Sequence, residues 1–410
     1  MYQTANISRN TIAMVLAGGK GERLSPITVG RPKPAVPFGG KYKIVDFVLS
    51  NLFNSGIRRA YILTQYHAYS LNKHIKESWG RWVGLGEFYD TVSPETNNIG
   101  EQWYTGTADA IYHNLRFIES SDADFVVIFG GDHIYKMDIS QMMEYHRMNR
   151  ADITIAALEV SPDDATRFGI LNVDEDLRVT SFVEKPKDPS RIPGRNTCFA
   201  SMGNYIFSAK KLIDILKKGK RKHEDLDFGK HVIPMMLEEK DKIFAYSFLD
   251  NCVVGMESHE RGYWRDVGTI DSYYEANMDL ISVSPQLNLY NYSWPILTDQ
   301  GNLPPAKTVF DDEGRRGQNI DSLVCGGCIT SGATVRRSIL GPSCKVHSYA
   351  QVEDSILFES VQIGRHAKIR KAIIDENIYI PDRMEIGYDP EEDRLRGCIV
   401  TDSGIVVVTK

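Results

Sequence analysis

The 410-residue chain is well beyond a typical domain of roughly 150 residues, so two or three domains are expected rather than one core. Apolar residues at 42% and charged residues at 25% are ordinary globular composition, which excludes a disordered tail, a coiled coil or a collagen. The balance of 48 Lys+Arg against 54 Asp+Glu gives −6 with no block of five like charges, so no nucleic-acid partner is expected. Six dispersed cysteines exclude a disulfide scaffold and fit a reducing cytoplasm. Residues 1–10 are polar, and the apolar run 12–17 is too short for a membrane span of about 20 residues, so no membrane anchoring is expected.

Along the chain, β-branched runs at 12–17, 59–64, 125–129 and 153–160 read as strands, with amphipathic helical patterns at 46–55 and 108–119. Strand and helix in alternation predict an α/β, Rossmann-like domain with a mostly parallel sheet and a ligand site at the carboxyl ends of its strands. From 283 to 318 a stretch bearing Pro, Asn and Gly lacks periodicity and reads as a crossing linker. This divides the chain into 1–285, a linker at 286–317 and a second domain at 318–410. In that last part Ile329, Val346, Ile363 and Ile380 recur every 17 residues, as do Val335, Val352, Ile369 and Ile386, and Ile339, Ile356 and Ile373. Three short strands per turn with one branched residue inward on each predict a left-handed parallel β-helix of triangular section.

The first strand runs into Gly18-Gly19-Lys20-Gly21-Glu22-Arg23-Leu24. Glycines after a strand let backbone N–H groups approach phosphate oxygens, and Lys20 and Arg23 add positive charge. The run lacks the Gly-Lys-Ser/Thr triplet of a Walker A loop, and Leu24 stands where a dinucleotide fingerprint needs its third glycine. Next comes Arg31-Pro32-Lys33-Pro34, in which two prolines restrict the lysine and fix where its ammonium sits. Further on, Asp132 follows the strand 125–129 and two glycines, a place where a sheet offers a hard oxygen ligand to Mg²⁺.

Gly-Gly-x-Gly-x-Arg-Leu followed by Lys-Pro resembles the sugar-nucleotide pyrophosphorylases. The longer run through Asn51 and Ser55-Gly56-Ile57-Arg58-Arg59 resembles the ADP-glucose pyrophosphorylases of bacterial glycogen synthesis, and the resemblance covers nearly the whole chain. It implies ATP and α-D-glucose 1-phosphate as substrates, ADP-glucose and diphosphate as products, Mg²⁺ as cofactor and a homotetramer with β-helix contacts. Gly18, Gly19 and Gly21 would face the phosphates, Gln65 and Gly106 the base, and Tyr104 the sugar-phosphate pocket. Asp266 matches the second metal-binding Asp, partner to Asp132. By the same resemblance Lys185 grips the sugar phosphate and Glu184 the glucose, with Gly169, Ser201 and Asp227 as further sugar contacts. Because the sugar phosphate is itself a competent nucleophile, catalysis would rest on alignment and charge, with Arg23 and Lys33 on the departing diphosphate and Lys185 holding the attacking group.

Relatives activated by sugar phosphates carry an anion site between the domains, and Arg31, Lys43 and Arg365 match part of it. Gly30 stands where strongly fructose-bisphosphate-activated relatives have a basic residue, so an anionic effector is expected with fructose 1,6-bisphosphate a weak one. A pyrophosphorylase of other specificity, a bifunctional enzyme with a C-terminal acyltransferase and an inactive regulatory subunit remain alternatives. Cys325-Gly326-Gly327-Cys328 has the spacing of half a zinc site with no second pair, and His347 and His366 read as surface residues of β-helix turns. Asn6-Ile7-Ser8 and Asn291-Tyr292-Ser293 fit a glycosylation pattern without consequence in a cytoplasmic chain.

Overall fold

A computed structural model describes residues 10–94, 96–97, 100–101, 103–299 and 301–410; the Asn6-Ile7-Ser8 triplet lies outside them. In chain order the first domain is built from β1 (Thr11–Ala17), α1 (Val45–Asn54), β2 (Arg59–Thr64), β3 (Phe88–Val92), α2 (Thr107–His113), α3 (Leu115–Glu119) and β4 (Phe125–Gly130). It continues with α4 (Ile139–Met148), β5 (Ile153–Val160), β6 (Gly169–Val173), β7 (Val179–Glu184), β8 (Cys198–Ser208), α5 (Ala209–Lys220), β9 (Ile243–Ser247) and α6 (Ile270–Asp279).

The sheet runs β7-β6-β8-β4-β1-β2-β3, with β5 pairing β8 and β9. From β4 through β1 and β2 to β3 every pairing is parallel, whereas β8 lies antiparallel to β4, β5 and β6. β1 is apolar from Ile12 onward because helices cover both faces of the sheet. Ile12 and Met14 pack toward α2 and α5, and Ala13 and Val15 toward α1 and α4, as the two-residue period of a strand requires. Register then decides where chemistry can happen: Ala17 pairs with Thr64 and Leu16 with Gly130, so β1, β2 and β4 end level. The loops beginning at Gly18, Gln65 and Gly131 therefore emerge side by side.

The helical pattern at 108–119 folds as two helices rather than one. Asn114, between α2 and α3, turns its side-chain amide onto the carbonyl of Ala110 at 2.8 Å and onto the Tyr104 hydroxyl at 3.0 Å, a local bond that competes with the helix ladder.

The second domain has three faces of parallel strands. Val335, Val352, Ile369 and Ile386 stack in register on one face, and Ile339, Ile356 and Ile373 on another, as the period predicts. The third column starts one residue late: Val346 pairs with Thr330, which is buried, while Ile329 pairs with Lys345. The corners lie in the left-handed region at Arg337, Asp354 and Lys371, at Ser343, Ser360 and Asn377, and at Tyr349, His366 and Arg383, again 17 apart. The parallel three-sided hexapeptide coil is consistent with a left-handed β-helix.

The expected linker is shorter than 286–317. Lys307–Val309 already pairs with Ile329–Ser331 as a strand of the coil. The stretch before it is strapped to α1, where Leu297 N–H donates to Ser50 Oγ at 2.8 Å, Asn54 Nδ2 to the Pro295 carbonyl at 2.9 Å and Trp294 Nε1 to Asn51 Oδ1 at 3.3 Å. The coil face bearing Ile339, Ile356, Ile373 and Val407 packs on Phe38, Tyr273, Tyr274 and Leu280 of the first domain, so one apolar cluster spans both. No helix among the described residues is long and apolar enough to cross a membrane.

Candidate active site

A cavity of about 780 Å³ opens at the level ends of β1, β2 and β4. Gly18, Gly19, Gly21, Arg23, Lys33, Gln65, Tyr104, Gly106, Asp132 and Asp227 line it together. Gly21 has φ 65°, and a Cβ there would stand 3.0 Å from Lys33 Cβ, so glycine lets the loop fold over the lysine stem. Gly106 is extended and closely covered: a Cβ would fall 2.3 Å from the Leu226 carbonyl, which fixes the 104–107 loop against the segment at 225–227.

At the floor, Lys33 is only 6% exposed and its Nζ lies 2.7 Å from Asp266 Oδ1 and 3.1 Å from Asp132 Oδ2. Asp266 arrives there because Trp264–Arg265 pairs antiparallel with Ile134–Tyr135, just beyond Asp132. Arg23 reaches Asp266 Oδ2 at 3.6 Å, and His133 Nε2 reaches Asp132 Oδ1 at 3.6 Å. Burial pushes the Asp132 carboxyl up, but His133 and Lys33 outweigh it and hold the group down at about 2. Asp132, His133 and Asp266 present ligand atoms within 4.8 Å of one another, a set able to hold a divalent cation. Two carboxylates suit a hard ion, and Lys33 pairs with both in this structure.

On the other side, β6 and β7 pair Gly169 with Glu184. A Cβ on Gly169 would strike the Phe182 ring at 2.4 Å, and one on Gly229 would meet both Glu184 Oε2 at 3.3 Å and Asp227 Oδ1 at 3.5 Å, so the two acids stand beside each other. Asp227 Oδ1 accepts from the N–H groups of Gly229 and Lys230, and its Oδ2 from Thr107 Oγ1 at 2.8 Å. Lys185 follows in the left-handed region with φ 48° and is 65% exposed, its Nζ 3.9 Å from Glu184 Oε1. Ser201 Oγ accepts from the N–H of Gly203, itself on the cavity wall. Gly169, Glu184, Lys185 and Ser201 thus lie next to the cavity without lining it.

Residues 12–283 match the nucleotidyl transferase family, and residues 304–408 match the GlmU-like C-terminal hexapeptide family. The chain is 71% identical over 410 residues to a glucose-1-phosphate adenylyltransferase of Trichlorobacter lovleyi, covering 100% of this chain and 99% of the relative. The chain belongs to the glucose-1-phosphate adenylyltransferase family. A member from Geobacter metallireducens is 71% identical over 409 residues, covering 100% and 99%, and one from Thermus thermophilus 52% over 405, covering 97% and 98%. The chain is thus an enzyme of the nucleotidyltransferase type.

For this glucose-1-phosphate adenylyltransferase family member, the cavity also holds residues that sequence reasoning passed over. His133 joins the acid pair, although it stood next to Asp132 in a run already singled out. Tyr66 stacks on Trp103 at 4.7 Å with 6° between the rings, and Lys20 lies 4.9 Å over the Tyr66 ring. Gly268 is pinned between Arg23 Nη2 and Asp266 Oδ1, each 2.9 Å from where a Cβ would stand. Asp109, outside the cavity lining, fixes the loop before α2 by accepting from Thr105 and pairing with Lys220 at 2.6 Å.

The three basic residues expected to form one effector site do not converge. Arg31 and Lys43 lie close together between the domains, and burial, with the Arg31 charge second, pulls the Lys43 ammonium down. Arg31 is already held, with Nη1 2.9 Å from Asp375 Oδ1 and Nη2 3.1 Å from Glu376 Oε1. Arg365 is exposed beside the corner of Tyr349, His366 and Arg383, opposite the coil face that packs on the first domain. His366 stacks on Tyr349 at that corner.

Proposed function

We propose that the chain transfers the adenylyl group of ATP to α-D-glucose 1-phosphate, giving ADP-glucose and diphosphate for α-glucan synthesis. The observation that carries this reading is Lys33, fixed beneath a glycine loop between Asp132 and Asp266 in a cavity at the ends of three parallel strands. A phosphate oxygen of the sugar phosphate supplies the electron pair that forms the new bond to the α-phosphorus. The bond from that phosphorus to the bridging oxygen breaks, and diphosphate leaves with its electrons. No proton need move, so the protein's work is alignment and charge.

Arg23 and Lys33 neutralise the departing diphosphate, the buried Lys33 contributing about 2 to 4 kcal/mol. Gln65 and Gly106 form the wall against which the base lies, and Tyr104 shapes the sugar-phosphate pocket. Lys185 swings from its exposed position to the sugar phosphate, while Glu184, Asp227, Gly169 and Ser201 frame the glucose. Mg²⁺ held by Asp132 and Asp266 would draw charge from the phosphates. We place the chain in the cytoplasm, a reading supported by its six unpaired thiols. Assembly as a homotetramer through the β-helix and binding of an anionic effector at Arg31 and Lys43 are further parts of this reading.

Diphosphate release from a panel of ATP, UTP, dTTP and GTP with glucose 1-phosphate tests it. ATP should exceed each other nucleotide at least about tenfold in kcat/KM, whereas equal rates would refute the assignment of the base wall.

A further inference from the structure

Lys33 is held not only by its own domain. Its neighbour two residues back, Arg31, has a side chain 9% exposed that leaves the first domain and ends on the coil. There the guanidinium meets Asp375 at 2.9 Å and Glu376 at 3.1 Å, and sits 5.8 Å over the ring of Phe358. Both acids belong to a stiff corner: the Asp375 N–H donates to the Val408 carbonyl, the Glu376 N–H to Asp375 Oδ1, and the Asn377 N–H to the Glu359 carbonyl. Phe358 is fully buried in the cluster that joins the domains and packs edge-on against Tyr273.

Between Arg31 and Lys33 stands only Pro32, with φ −71°, followed by the tight turn Lys33–Ala35 closed by Ala35 N–H on the Pro32 carbonyl at 2.9 Å. Proline removes the φ freedom that would otherwise uncouple the two side chains. An anchor on Arg31 is therefore an anchor on the backbone of Lys33, and Gly21 closes over the lysine stem from the other side.

We propose that Asp375 and Glu376 are positioning residues for the reaction, holding the Lys33 ammonium in place through Arg31 and Pro32. The coil then completes the active site rather than merely accompanying it. This inference rests on the reading of Lys33 as the cation of the departing diphosphate.

The test is a set of variants in the full chain: Asp375→Asn with Glu376→Gln, Arg31→Gln, Lys33→Ala, and the acid pair combined with Lys33→Ala. Each is followed by steady-state kinetics and by its unfolding midpoint. The acid-pair variant and Arg31→Gln should each lower kcat at least about tenfold, with KM for both substrates changed less than about threefold and the fold retained. In the Lys33→Ala background the acid pair should add no further loss, because the group it positions is gone. A full additional loss in that background, or an unchanged kcat in a folded acid-pair variant, would overturn the proposal. Unimpaired turnover of Lys33→Ala alone would instead refute the underlying reading of Lys33, so the two failures are separable.

Discussion

The two domains are built by opposite rules. Inside the β-helix each column residue repeats the role of one 17 positions away, as Val335, Val352, Ile369 and Ile386 do, and pairs with the turns on either side. In the catalytic domain no role is repeated: Lys33 meets Asp132 and Asp266 across 99 and 233 residues. A change within a coil column should therefore cost stability in proportion to the volume lost, whereas the acids that meet Arg31 act on turnover. A change in the cavity should cost turnover at little cost in stability.

The sharpest way to break that contrast is Asp132→Asn. It removes an anionic oxygen from the Lys33 cluster while preserving shape, and turnover should fall about 100- to 1000-fold in a variant that still folds, with the unfolding midpoint lowered because Asp132 is stabilised as the anion. Near-normal turnover in saturating Mg²⁺ would remove Asp132 from the chemistry. The complementary change is Ile369→Ala, fully buried in the middle of a coil column. It should destabilise by about 2 to 4 kcal/mol, read from denaturant unfolding, while KM for ATP stays within about twofold.

A smaller effect is expected from Lys185→Ala, which removes the exposed charge proposed to hold the sugar phosphate. KM for glucose 1-phosphate should rise roughly tenfold with KM for ATP unchanged, and the reverse pattern would place Lys185 on the other substrate. Smallest is Gly30→Lys. A side chain at Gly30 meets nothing within 4 Å, so the substitution adds charge beside Arg31 without a clash. Because Asp375 and Glu376 already occupy Arg31, wild-type activation by fructose 1,6-bisphosphate should be weak, and the added lysine should tighten effector binding by up to about tenfold. Activation assays on both proteins check this, and strong activation of the wild type, unchanged by the lysine, would contradict it.

Much of this organisation is legible in the sequence where the physics is local. Apolar runs mark β1, β2, β4 and β5, because strands buried on both faces leave no room for polar residues. The 17-residue spacing marks the coil, because each turn must present the same residue type to the turn above. The glycine loop and the lysine held between Pro32 and Pro34 mark the cavity for the same reason, since backbone restriction is written in residue type.

What stays hidden is what depends on distant partners or on one side chain's choice. Asn114 breaks a helix that its neighbours favour, by bonding to Ala110 and Tyr104. The step from Thr330 to Val346 is one residue short of the repeat, which turns Thr330 inward in place of Ile329. The pairing of Arg31 with Asp375 crosses 344 residues and has no local signature, so Arg365 was grouped with Arg31 and Lys43 by resemblance although it sits on the far corner. Its place was partly readable: His366 belongs to a corner column repeating every 17 residues with Tyr349 and Arg383, and that column lies away from the packed face.

Lys33 is the residue on which turnover depends most directly. Formation of ADP-glucose from ATP and glucose 1-phosphate should be measured for the wild type and for Lys33→Ala, each shown to be folded by its unfolding midpoint. The account predicts product from the wild type and a loss of at least about 100-fold in kcat for the variant, equivalent to about 3 kcal/mol of transition-state stabilisation. Equal turnover by a folded Lys33→Ala would contradict it.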